Sequence, residues 1–326
     1  MKTIAITMGD PAGIGPEIIA AAWEQLQTIP GCRNVVYGHP QIMRRAAALR
    51  KVDAEIDCVT CCSDDVLEVQ PGTIDFRAGR AAYQSIVRAI EDAKQHTVDT
   101  VVTAPIHKAA LHLAGYHYPG HTEIFAEQCG VENYAMMLYL GAGKNLGGQY
   151  GLAAVHVTLH TAMKTIFEQI TTESVLAKIR LADGFMRQIM GSHNRLPCIG
   201  VCSLNPHAGE EGLFGDEEIQ IIEPAIRWAT AEGLHVEGPK PADTIMIDAK
   251  NGKYDAVVAM FHDQGHIALK LLGMYRAVNV SLGLPIVRTS VAHGTAFDKA
   301  WQGIADPGSL LEAVRVAVKR VTSFMG

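Results

Sequence analysis

Short apolar runs, each closed by a polar or glycine-containing turn and followed by a longer stretch of helical spacing, recur along the chain. That alternation predicts an α/β architecture rather than a helical bundle. "TIAITM" at 3–8 reads as a first strand, "GDPAGIGPE" as the turn after it, and "IIAAAWEQLQ" as a helix. Pro16 suits the first helical turn, where a missing N–H breaks no intrahelical bond. Further strands are predicted at 34–38, 99–105, 134–140, 152–159 and 276–283. Residues 79–94, most of 162–190, 215–232 and 309–325 carry helical patterns. "LPCIGVCSLNPHAGE" at 196–210 and "YDAVVAMFHDQG" at 254–265 both pass from an apolar strand into a loop rich in chemistry-bearing side chains. Two α/β lobes with crossing connections fit this order better than two independent consecutive domains.

A length of 326 residues accommodates about two domains. The 28 Lys plus Arg against 34 Asp plus Glu leave a formal charge of −6. No basic surplus is available to neutralise a nucleic-acid backbone, so nucleic acid is not expected as a partner. Local basic residues can still hold one phosphate. Seven scattered cysteines fit a reducing compartment. Cys58, Cys61 and Cys62 form their one cluster, and no second CxxC pair follows to complete a thiolate metal site. The N-terminus breaks at Asp10-Pro11 before an apolar targeting core forms. No run of 18 or more apolar residues appears, so the expectation is a cytoplasmic protein without a membrane partner.

The candidate chemistry falls into four sets. His160, His207 and His262 each lie at or just beyond the carboxyl end of a predicted strand, where open α/β sheets place ligand groups. Three neutral imidazoles can ligate a divalent ion and leave positions for substrate oxygens. Each alone reads equally as a hydrogen-bonded loop histidine, and Asp263 as a partner of His262 or a helix cap. Lys270, Asn279 and Arg288 suit a substrate phosphate or carboxylate, or ordinary surface pairing. His121 and Thr122, after "YHYPG", can face a substrate or close a turn. Asp243 in "KPADT" reads as a base or an N-cap, and His107 with Lys108 forms a weaker pair. In the glycine-bearing loops, Gly9, Asp10, Gly13 and Gly15 do not match a Rossmann fingerprint. The stretch "HGTA" (His293, Gly294, Thr295, Ala296) resembles the adenosine-contacting loop of isocitrate and isopropylmalate dehydrogenases.

Several separated motifs then agree. "TMGDPAGIGPE", "GHTE", "LNPHAGE", "PADT", "FHDQG", "VNVSLGLPIVRTS" and "HGTA" occur in this order, and from residue 3 nearly to the C-terminus the chain resembles the 4-hydroxythreonine-4-phosphate dehydrogenase family. The resemblance implies a two-domain α/β fold like that of isocitrate and isopropylmalate dehydrogenases, with the active site in the interdomain cleft and at a homodimer interface. It places residues 1–125 and 270–326 in the first domain, with the cofactor loop, and 126–269 in the second, with metal binding and dimerisation. It carries His160, His207 and His262 across as ligands of a divalent metal (Zn, Mg, Mn or Co), with both subunits contributing. His121, Thr122, Lys270, Asn279 and Arg288 become substrate contacts; Gly13, His293, Gly294, Thr295 and Ala296 become contacts to NAD. Asp243 and Lys270 are the catalytic candidates.

The implied reaction oxidises a secondary alcohol one carbon removed from a carboxylate, with hydride passing to NAD, followed by loss of carbon dioxide. The first loop has "TMGDPAGIGPE" where the vitamin-pathway branch carries "TPGEPAGIGP", and "HTAMKTI" follows where that branch has "HLPLRDI". Those departures favour D-threonate or D-erythronate 4-phosphate over 4-hydroxy-L-threonine 4-phosphate as the small anionic substrate. A phosphate-binding protein without catalysis is the alternative of another class.

Overall fold

The computed structural model describes residues 1–191, 195–274 and 276–322. They form two compact units, Met1–Tyr134 with Leu284–Thr322, and Ala135–Gly283. The chain leaves the first unit once and returns to it. The crossings fall at 134/135 and 283/284, not at 125/126 and 269/270. Pairing explains the shift: the strand at 277–282 is zipped antiparallel to the one at 135–140, and that ladder binds both segments to the second unit. Residues 323–325, the end of the predicted last helix, lie outside the described residues, as does residue 326.

The first unit begins β1 (Lys2–Thr7), α1 (Gly15–Gln27), β2 (Cys32–Gly38), α2 (Pro40–Arg50), β3 (Cys58–Thr60), α3 (Phe76–Lys94), β4 (Thr100–Thr103), α4 (Lys108–Leu113) and α5 (His121–Cys129). The second unit holds β5 (Ala135–Leu140), β6 (Leu152–His156), α6 (Ile166–Gln169), α7 (Thr172–Met190), β7 (Cys198–Cys202), α8 (Glu223–Ala231), β8 (His235–Lys240), α9 (Ala242–Lys250), β9 (Ala256–Ala259), α10 (His262–Gly273) and β10 (Ala277–Leu282). Back in the first unit, β11 (Val287–Val291) and α11 (Gly308–Thr322) complete the described chain.

In the first unit the strands run β3-β2-β1-β4-β11, all parallel. β4 and β11 are buried along their length, as parallel strands covered on both faces must be. Pro16 sits in the first turn of α1 as its sequence position suggests. In the second unit the order is β10-β5-β6-β9-β7-β8; β10, β5 and β6 pair antiparallel, and β6, β9, β7 and β8 pair parallel. Unlike strands in a meander, β6, β9 and β7 therefore end at one edge.

Candidate active site

The three histidines read from the sequence all follow those neighbouring parallel strands. His160 lies in the loop after β6, His207 in the loop after β7, and His262 opens α10 directly after β9. Side chains and backbone lace the loops together. Thr158 Oγ1 donates to the Met260 carbonyl at 2.9 Å. Gln264 accepts from the Met260 N–H at 2.8 Å and donates to the Ser203 carbonyl at 2.9 Å. Buried Glu218 accepts from the N–H groups of Leu204 and Asn205, both at 2.8 Å. Just beyond, His207, Ala208, Gly209, Glu210 and Glu211 all adopt positive φ, a costly run for non-glycine residues.

The rings of His160 and His262 lie 6.0 Å apart between centroids. Together with Leu159, Thr161, Met163, Ile166, Phe261 and Asp263 they line a cavity of about 270 Å³. His262 Nδ1 is 2.7 Å from an Asp263 carboxylate oxygen. Because a carboxylate accepts, Nδ1 carries a proton, which leaves Nε2 as the nitrogen that can offer a lone pair to a divalent ion. Asp263 is thus a partner of His262, not a helix cap: the residue preceding α10 is Phe261. The ligand atoms of His160, His207 and His262 do not all lie within 4.8 Å of one another in a single chain.

Behind His262 lies a pair that sequence reasoning left out of the site. His266 stacks on His262 with centroids 3.8 Å apart and planes 12° apart, and its Nδ1 is 3.1 Å from Nε2 of buried His156. Burial, reinforced by neighbouring imidazoles, pushes His156 down to about 4 and His266 down to about 2. Both rings are neutral. His266 was visible as part of the "FHDQGH" run; His156 gave no signal, being an apolar-strand position until β6 was placed against α10.

Lys270 follows His266 by one turn of α10. Asn279 on β10 donates from Nδ2 to Met136 Sδ at 3.2 Å, and its buried Oδ1 has no hydrogen-bond partner. Asp243 is exposed in the first turn of α9. It is not the N-cap that one reading allowed, because Pro241 holds that place without a side-chain bond.

In the first unit, Arg288 is on β11, only 1% exposed, not in a surface pair. Its Nη2 donates to Thr103 Oγ1 at 2.7 Å and its guanidinium lies 5.6 Å from the centre of the Phe125 ring. Burial pushes it down to about 9, against the opposing pull of Glu123. His121 is the first residue of α5, after Gly120. Burial first, then the charge of Arg288, hold it well below its ordinary value, and its buried Nε2 lacks a partner. Thr122 is buried beside it. His107 caps α4 and stacks on Phe297 at 4.5 Å.

The two glycine-bearing loops meet. Ile14 N–H donates to the Thr295 carbonyl at 3.0 Å, and a Cβ on Gly13 would stand 2.9 Å from Thr295 Cβ. Only glycine permits that approach. Ala296 holds φ 43, and His293 Nδ1 lies 3.0 Å from the Gly294 carbonyl. Gly13 and the 293–296 loop thus form one surface.

Asp10, in the same loop as Gly13, is buried, with Oδ1 accepting from Ala12 N–H at 2.8 Å and Oδ2 without a hydrogen-bond partner. Burial raises its carboxyl from 3.8 to about 7, the Ala12 bond opposing and Asp75 adding to the rise. The folded chain therefore holds an extra proton between about pH 4 and 7, so stability from this group falls as pH climbs through that window and is flat above it. Asp10→Asn keeps an acceptor for Ala12 and removes the slope. Urea unfolding at pH 5 and pH 8 should show the variant gaining on the parent by about 1–3 kcal/mol at the higher pH; an identical difference at both values overturns the assignment.

Among the described residues, one group of three mixed donors falls within 4.8 Å: Cys198, His235 and Glu237 on paired β7 and β8. Glu237 is engaged by Lys253 at 3.1 Å and Tyr254 at 3.0 Å, and burial pushes the Cys198 thiol up to about 11. Cys58, Cys61 and Cys62 are free thiols, pushed up to about 12, 11 and 12 chiefly by burial.

Residues 30–317 match the family of the pyridoxal phosphate biosynthetic protein PdxA. The chain belongs to the PdxA family. It is 43% identical to a D-threonate 4-phosphate dehydrogenase of Pectobacterium atrosepticum, over 98% of this chain and 99% of that one. It is 45% identical to a 4-hydroxythreonine-4-phosphate dehydrogenase of Beijerinckia indica, over 97% and 94%. A crystal structure of 4-hydroxythreonine-4-phosphate dehydrogenase from Klebsiella pneumoniae superposes with a TM-score of 0.83 at 40% identity, covering 98% of this chain and all of that one. A β-decarboxylating dehydrogenase from Thermococcus kodakarensis, 16% identical with a TM-score of 0.56 over 98% of this chain and 83% of that one, shares the fold. This PdxA-family chain is a dehydrogenase with the expected α/β architecture. No helix among its described residues is long and apolar enough to cross a membrane.

Proposed function

We propose that the chain oxidises and decarboxylates a four-carbon 3-hydroxy acid 4-phosphate with NAD and a divalent metal, D-threonate 4-phosphate or D-erythronate 4-phosphate giving dihydroxyacetone phosphate. The observation that carries this reading is the alignment of His160, His207 and His262 beyond three adjacent parallel strands, with the tautomer of His262 set by Asp263. The donor set suits a divalent ion. His160, His207 and His262 would hold it, a second copy of the chain contributing to the set. When bound, the ion supplies Lewis acidity at the alcohol oxygen and stabilises the negative charge released as carbon dioxide leaves.

The chain's own groups bind and orient. Arg288, Lys270 and Asn279 hold the anionic and polar ends of the substrate, with His121 and Thr122 beside Arg288. Asn279 Oδ1 and His121 Nε2, both buried without partners, suit ligand hydrogen bonds. Gly13 and the 293–296 loop take the cofactor. NAD held there would supply a hydride acceptor for the C3 hydrogen, and Asp243 would take the hydroxyl proton, directly or through water. Loss of carbon dioxide leaves the C1–C2 electron pair on C2, which takes up a proton.

The choice among substrates rests on residues after His160. The departures from the vitamin-branch pattern include Thr161 and Met163, and both line the cavity that His160 and His262 share. The 45% identity to a 4-hydroxythreonine-4-phosphate dehydrogenase supports the aminoacid phosphate as the second reading. NAD reduction and carbon dioxide release should be measured on D-threonate, D-erythronate and 4-hydroxy-L-threonine 4-phosphates, with and without Mn²⁺ or Co²⁺. We expect turnover only with metal and fastest on D-threonate 4-phosphate. A clear preference for the aminoacid reverses the branch, and silence on all three removes the reaction.

A further inference from the structure

The pair His156–His266 has no place in the reaction just proposed, yet it is built with care. His156, the last residue of β6, is 1% exposed. Its Nδ1 faces the Met136 carbonyl in a long contact of 3.5 Å, and a carbonyl only accepts. Nδ1 therefore carries the proton of this neutral ring, and Nε2 offers a lone pair. The group 3.1 Å from that lone pair is His266 Nδ1, which must donate. The Met136 carbonyl thus sets the tautomer of His156, and the His266 ring, which also meets the His262 backbone carbonyl, turns a donor toward it.

Gly265 makes the contact feasible. A Cβ there would stand 2.5 Å from His156 Nε2 and 3.2 Å from Ala154 Cβ, so α10 rests directly on the edge of the His156 ring. Glycine inside a helix costs about 1 kcal/mol relative to alanine, and close approach gives that residue its reason. The other face of the arrangement is His262. Residues four apart share a helix face, and His266 lies flat against the His262 ring while Asp263 holds its Nδ1. The plane of the ring and the identity of its free nitrogen are set by separate neighbours.

We propose that His156 and His266 are positioning residues that hold the His262 ring in place as a metal donor: the Met136 carbonyl orients His156, His156 orients His266, and His266 backs His262. The inference rests on the ligand role given to His262 above. Partners beyond a metal's own ligands typically change affinity by about 10–100-fold when removed, and that is the effect expected here.

The test titrates Co²⁺ alone into the full-length protein by calorimetry, with ¹⁵N-histidine NMR on the metal-free samples. His262→Ala should abolish the site. His156→Leu should weaken Co²⁺ by about 10-fold or more and remove the Nδ1-protonated signature of His266. His156→Gln, whose amide oxygen can accept from His266, should bind within about 3-fold of the parent and keep that signature, a rescue that a packing role alone does not predict. Gly265→Ala, which displaces the ring without deleting it, should weaken Co²⁺ like His156→Leu and carries the test if that variant does not fold. Parental affinity in folded His156→Leu and Gly265→Ala overturns the positioning role while leaving His262 a ligand. Parental affinity in His262→Ala overturns the ligand role and this inference with it.

Discussion

Replacing His262 with alanine should lower NAD-coupled turnover by about a thousandfold while leaving the fold in place. The ring is about a third exposed, so its removal opens no sealed core and the stability cost is small. Its chemical cost is large, because the proposed ion loses a neutral nitrogen donor at the place where negative charge develops. Asp263→Asn should behave as a weaker copy, about 10–100-fold down, since an amide can present an N–H toward Nδ1 and favour the wrong tautomer. Metal content, circular dichroism and kcat measured on the same samples separate loss of the ion from loss of fold. Full activity with full metal occupancy in His262→Ala removes the imidazole from the site.

Arg288→Met should separate function from stability in the opposite sense. The parent side chain buries a charge on β11, with a hydrogen bond to Thr103 and the ring of Phe125 against it. Exchanging a buried charge for an apolar side chain of similar volume is often neutral or stabilising, so the variant should melt at or above the parent's temperature. Its kcat/KM on the 4-phosphorylated acid should fall by about 10²–10³, the loss expected when a desolvated cation no longer meets its anion. Arg288→Lys should recover little, because an ammonium cannot reproduce the planar two-pronged donor geometry of guanidinium. Unaltered kinetics in Arg288→Met would take the residue out of the substrate clamp.

These two residues also mark where sequence reading was strong and where it stopped. His262 was legible because "VVAMFHDQG" changes from apolar run to polar loop within a few positions, and that change is β9 passing into α10. Arg288 is legible as a candidate through its motif, but local spacing favours a surface pair, because the sequence does not mark β11 as a buried strand. Three consecutive polar residues, Arg288, Thr289 and Ser290, weaken the pattern from which a strand is read, and only the parallel pairing with β4 reveals the burial. His121 behaved similarly. Its loop allowed a turn or a binding role, and it proved to start α5 with a buried, partnerless nitrogen. Asp243 kept its position near a helix start but lost the capping role, since Pro241 takes that place.

The residues themselves determined the alternation of strands and helices, the glycine at 13 that lets two loops touch, and the family to which the motifs point, because each follows from local periodicity, backbone freedom or ordered spacing. Tertiary structure decided that β6, β9 and β7 lie side by side, that His156 reaches His266 across 110 positions, and that the domain crossings fall at 134/135 and 283/284. Those outcomes depend on which strand hydrogen-bonds to which, a choice among distant partners that no short window of the chain contains.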